Sequence, residues 1–230
     1  MAILLFLNAW LLTRLWFTFR DRPLPTHEWT GLALVQVVLI GVLTPGLHTL
    51  ALIPAVIASL ALSEAWMPKE RLNEGRLAGG ALVAVVAFLS AHYGMPGSWL
   101  LPAHPPAVLR PALLGLLGFL LVANETNLAI RALLHRFQME PTTSSHGEPD
   151  TVDDREYNAG RVIGMLERWL IYLVVVFAQN YNVIALILAA KGFARFRQLE
   201  EREFAEYVLI GTLASLLFTV VIGQSILFFF

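Results

Sequence analysis

The chain has 230 residues, of which 57% are hydrophobic and 14% charged, where an ordinary soluble domain carries roughly a quarter charged residues. A soluble fold of this size could not hide so much apolar surface, and disorder as the general state needs the opposite composition. A balance of 16 basic and 17 acidic residues argues against nucleic acid as a partner, and the absence of cysteine removes disulfides, thiolate metal sites and thiol nucleophiles.

In chain order, residues 3–19 are apolar apart from Asn8, Thr13 and Arg14, and Arg14, Arg20 and Arg22 lie at their far end. A secretory leader has the opposite layout, with its positive charge first and a small-residue cleavage site after. The segment is expected to stay as a first membrane helix whose C-terminal end is cytoplasmic. A polar link at 21–27 carries Pro23 and Pro25. The apolar run at 29–67 is too long for one span of about 20 residues. Thr44, Pro45 and Gly46 break it, because proline removes a backbone donor and clashes with the preceding turn. Two short helices are expected, 29–43 and 47–66, or a hairpin that only dips into the bilayer, with Pro54 kinking the second arm.

Residues 68–76 read as a charged cytoplasmic loop, 77–93 as a clean span, and 94–106 as an uncharged, proline-rich outer loop. The next span is 107–134, ending in Arg131, His135 and Arg136. Residues 138–157 hold six acids against Arg155 alone, together with Ser, Thr and Gly. They read as a flexible acidic cytoplasmic linker. Then come 160–178, a polar turn at 179–182, a short apolar arm at 182–196, and a last span at 204–230. If every candidate spans, there are eight crossings, and the basic clusters near 14–22, 69–76, 131–136 and 191–202 all fall on one side with both termini outside. If 182–196 re-enters without crossing, there are seven and the C-terminus is inside.

Charges in a bilayer are costly and face a partner or a cavity. Glu167 and Arg168 point about 100° apart on a helix, so each needs its own partner. Glu167 lies roughly 20 Å along the helix axis before the turn, and the same distance beyond it lands near Arg195, so Glu167 can meet Arg195 or Lys191 if both arms are helical. Lys191, Arg195, Gln198 and Arg202 recur at one helical face, and Glu206 follows Arg202 by one turn. This set reads either as an ion or anion site at the cytoplasmic boundary or as a salt-bridge network with snorkelling anchors. Asn124, Glu125 and Asn127 form a second polar knot, read either as a substrate or proton site or as interhelical hydrogen bonding. Glu64, four residues before Pro68, and His48, after the breaker, are both expected at the water boundary. The histidines show no metal-ligand spacing, and no P-loop, Gly-x-Ser-x-Gly or His-Glu-x-x-His is present. No cofactor or metal is expected. The pairs Gly75/Gly79, Gly160/Gly164 and Gly211/Ser215 fit close helix packing.

The stretches Gly160-Arg-Val-Ile-Gly-Met-Leu-Glu-Arg-Trp-Leu-Ile171, Ala189-Ala-Lys-Gly-Phe-Ala-Arg-Phe196 and Glu206-Tyr-Val-Leu-Ile-Gly-Thr-Leu-Ala-Ser215 together resemble the C-terminal part of an uncharacterised bacterial multi-pass membrane family, catalogued only as a domain of unknown function. The resemblance covers about residues 157–225. It implies a bacterial membrane location and a shared module whose polar framework is Glu167, Arg168, Lys191, Arg195 and Glu206. It implies no reaction.

The expectation is an all-α, polytopic transmembrane helical bundle of about seven or eight membrane helices in a bacterial inner membrane. Residues 1–137 would form N-terminal membrane helices, 138–157 the linker and 158–230 a C-terminal membrane module. The first functional reading is a non-catalytic component that binds a membrane or cytoplasmic partner protein or self-associates. The alternatives are a small transporter or channel using Glu125 and Glu167, and an intramembrane enzyme acting on lipid or another membrane substrate.

Overall fold

The computed structural model describes residues 1–44, 46, 50–93, 105–137, 154–194, 196, 200 and 202–230, with the backbone alone for 154–159, 203 and 204. Pro45, His48, loop residues 94–104, linker residues 138–153, Arg195 and Gln198 lie outside the described residues. Every regular element among the described residues is helical. Four helices are long and apolar enough to cross a membrane, at Thr26–Leu43, Lys69–Tyr93, Leu109–Arg136 and Ala205–Phe229. Shorter apolar helices lie at Ala2–Phe17, Leu52–Trp66 and Asn182–Ala194. The chain divides into two compact units, Met1–Ala132 with Phe230, and Leu133–Phe229.

In the first unit, α1 (Ala2–Arg14) runs into a tight turn at Leu15–Phe17. α2 (Thr26–Leu43) begins after the extended Pro25 and carries Glu28 in its first turn, where an acid suits the helix dipole. α3 (Leu52–Leu60) continues as a π-turn, Ala61–Trp66. Pro54 lies in the first turn of α3, where its missing N–H is no loss, so it starts this helix rather than kinking it. The π-turn stops at Met67, held extended ahead of Pro68. α4 (Leu72–Tyr93) follows a tight turn at Lys69–Arg71. It therefore begins inside the expected charged loop and takes Arg76 into a helix. α5 (Leu109–Leu120), a π-turn at Leu121–Glu125 and α6 (Thr126–Arg136) run on as one long element.

α1 is the central helix of this unit. It packs against α2, α4 and α5, while α3 packs against α2 and α4. Phe6, Trp10, Leu11, Ile40, Leu52, Val56, Val83 and Leu120 share one buried cluster. Polar side chains tie the same helices. Asn8 donates to the Leu113 carbonyl at 3.0 Å, and Gln36 donates to the Thr13 hydroxyl at 2.7 Å. α3 and α4 come closest at Gly79, where an added Cβ would lie 2.8 Å from the Ser59 carbonyl oxygen.

In the second unit, α7 (Asp154–Leu173) continues as a π-turn at Val174–Ala178. It starts before the expected linker ends, so residues 154–157 are helical. Gln179 closes the turn in the left-handed region at φ 50°. α8 (Asn182–Ala194) then runs back, and α9 (Arg202–Phe229) packs on α7. Lys191 is in α8 and Arg202 opens α9, so the two do not share one helical face as the spacing predicted. Gly192, a weak helix former, sits in the last turn of α8. Among the described residues a Cβ on Gly160 or Gly211 would meet nothing within 4 Å, so neither is a close-packing site there. Gly223 does, since a Cβ there would come within 2.6 Å of Val175.

Candidate functional site

The densest polar chemistry lies in the first unit, where the end of α1, the π-turn after α3, the start of α4 and the π-turn after α5 converge. Two buried ion pairs occupy it. Arg14 faces Glu125 edge-on, with Nε 2.6 Å from Oε1 and Nη2 2.9 Å from Oε2. Arg76 faces Glu64 in the same way, at 2.8 Å and 3.1 Å. Planar guanidinium against carboxylate allows two parallel hydrogen bonds, which a lysine could not reproduce. Both side chains of the Arg76–Glu64 pair are 0% exposed, whereas Glu125 keeps 16% exposure. Glu64 is therefore a core group and not a residue at the water boundary.

These side chains make further hydrogen bonds. Arg14 Nη2 donates to the Arg76 carbonyl at 2.8 Å. Arg76 Nη1 donates to the Arg20 carbonyl at 2.6 Å, and its Nη2 donates to the Arg22 carbonyl at 3.2 Å. The Leu24 N–H donates to Glu64 at 2.8 Å. Asn124 donates to Glu125 at 3.0 Å and accepts from the Thr18 hydroxyl at 3.0 Å. The Phe17 ring, fully buried, has the Arg76 guanidinium 4.5 Å and the Arg14 guanidinium 5.4 Å from its centre. Gly80 allows α4 to lie against the first pair, since a Cβ there would sit 3.0 Å from Arg14 and 3.4 Å from Glu125.

Local backbone explains why these groups point inward. A π-turn holds an extra residue and shifts the helical register, and such turns often occur at functional positions. Glu64 and Glu125 both belong to π-turns. Asn127 lies at the edge of burial in α6 and is not joined to the network.

The polar framework expected in the last third resolves differently. Lys191, one of the two partners the hairpin count allowed, meets Glu167 at 2.5 Å, with both side chains about one-fifth exposed. Arg168 is buried in the same unit. Arg202 pairs with Glu206 at 2.9 Å on an exposed surface, a separate i,i+4 pair. The hydrogen bond and the charge of Glu206 raise the pKa of Arg202 above its ordinary value. The expected single set is therefore two pairs, and Arg195 lies outside the described residues. At the hairpin's other end, Gln224 donates to the Tyr181 hydroxyl.

Sequence reasoning found Glu125, Asn124, Glu167 and Lys191. It missed Arg14 and Arg76 as core groups, because both read as members of basic clusters at the cytoplasmic boundary, near 14–22 and 69–76. The usable signal was Glu64, an acid inside an apolar run that had to find a cation. Among the described residues no group of three or more metal-ligating side chains comes together.

Fold and site together define an all-α protein, compatible with a membrane and clasped by buried ion pairs. No family model matches the chain, and no curated protein or solved structure is similar to it.

Proposed function

We propose that the chain is a multi-pass protein of a bacterial inner membrane that acts as a non-catalytic component, holding a partner protein or a second copy of itself. One observation carries this reading. The carboxylates brought inside the first unit are already clasped by cations, Glu64 by Arg76 and Glu125 by Arg14, and Glu167 in the second unit is paired with Lys191. A carboxylate that binds a transported ion or moves a proton needs an open coordination position or a shifting partner. The bidentate pairs Glu64–Arg76 and Glu125–Arg14 fit a rigid frame better. The bacterial location rests on the sequence resemblance of residues 157–225. Placing the basic clusters inside gives eight crossings, with α7 and α8 as an antiparallel pair registered by Glu167–Lys191.

A small transporter is the second reading. It draws support from Glu167–Lys191, which is partly exposed within otherwise apolar helices, because polar pairs beside short helices mark ion sites in transporters.

Crosslinking in native membranes, mild-detergent purification and mass spectrometry test the proposal. A stoichiometric partner or a stable homo-oligomer is expected. A monomer without partner whose liposomes pass ions, with flux abolished by Glu167→Gln, would overturn the frame reading in favour of transport.

A further inference from the structure

We propose that the end of the first unit bearing the buried ion pairs binds the anionic headgroups of bilayer phospholipids through Arg22, Lys69 and Arg71. The inference rests on the membrane reading above and adds a ligand class and a site to it.

The cations at this end fall into two groups. Arg14 and Arg76 are neutralised inside by Glu125 and Glu64. Arg20 and Arg131 are held by Glu28 and Asp21. Arg22, Lys69 and Arg71 are exposed and have no carboxylate partner among the described residues. Arg76 brings them to one end, because it grips the Arg20 and Arg22 carbonyls from the start of α4, just after Lys69–Arg71. Glu70 and Glu74 lie on the same end and reduce its charge without cancelling it.

A second observation places this end at the depth of headgroups. Trp66 is 79% exposed and Trp16 is 55% exposed, and the Arg20 guanidinium lies 4.9 Å over the Trp16 ring. Amphipathic indoles collect at the boundary between hydrocarbon and water. Free guanidinium and ammonium groups beside exposed indoles suit a phosphodiester that carries net charge. A zwitterionic headgroup supplies its own counter-charge and gains less. Guanidinium groups can bind phosphate oxygens in pairs, and lysine adds a point charge.

The test uses the full chain in detergent, titrated with phosphatidylglycerol, phosphatidylcholine or inorganic phosphate while thermal unfolding is followed. Phosphatidylglycerol is expected to raise the unfolding midpoint, less so at high salt, while the other two leave it in place. The triple variant Arg22→Gln/Lys69→Gln/Arg71→Gln should weaken that response by about 100-fold in lipid concentration. Arg110→Gln is the control, exposed at the start of α5 and roughly 22 Å along the helix from Glu125. It should respond like the unaltered chain. An equal response to phosphatidylcholine or to phosphate, an undiminished response in the triple variant, or loss in the Arg110 control overturns the proposal. Release of the chain from membranes by alkaline carbonate would instead overturn the membrane reading.

Discussion

Arg76 uses both edges of its guanidinium, one for Glu64 and the other for two backbone carbonyls. Removing one partner of such a pair leaves a bare charge in a dry place, at a cost of about 3–5 kcal/mol, whereas replacing both by apolar groups is often neutral. Arg76→Met and Glu64→Leu should each lower stability by that order, and the double variant should recover most of it. A double-mutant cycle from thermal or denaturant unfolding in detergent reads the coupling. Additive losses would show that the pair is not coupled. Arg76 was legible only as a charge near a proline, since sequence spacing does not reveal that α4 starts early enough to carry it inward. Glu125 was legible, because an acid far inside an apolar span has few places to go.

Between elements, the small-residue pairs separate into two kinds. Gly79 is needed because the Ser59 backbone lies where a side chain would begin. Gly79→Ala should force α3 and α4 apart and cost about 1–3 kcal/mol. Gly160→Ala should be neutral or stabilising by up to about 1 kcal/mol, since that position meets no neighbour and alanine is the better helix former. Thermal unfolding of the two variants decides it, and equal losses would refute the distinction. Both glycines carry the same spacing in the sequence, so the pattern alone could not separate them. Spacing puts two small residues on one face, but which face meets another helix depends on the neighbours.

For the whole molecule, the absence of cysteine makes topology directly measurable. Single cysteines at Arg22, Lys69 and Arg136 should react with an impermeant maleimide from one side of sealed vesicles, and cysteines at Tyr93 and Val108 from the other. Mixed labelling within either group would overturn the proposed crossings. The sequence by itself determined the class of molecule, because apolar content and helix length answer to the solvent and not to any particular neighbour. It also narrowed the partners of Glu167 to Lys191 or Arg195, in a local hairpin whose turn and helical rise limit which residues can meet, and the structure pairs Lys191. Only the tertiary structure decided that Arg14 joins Glu125 and that Glu64 and Arg76 form a fully buried pair in the first unit. Arg14 and Glu125 lie 111 positions apart in the chain. Contacts at that separation depend on how helices pack and where π-turns shift their register, and neither is written in local periodicity.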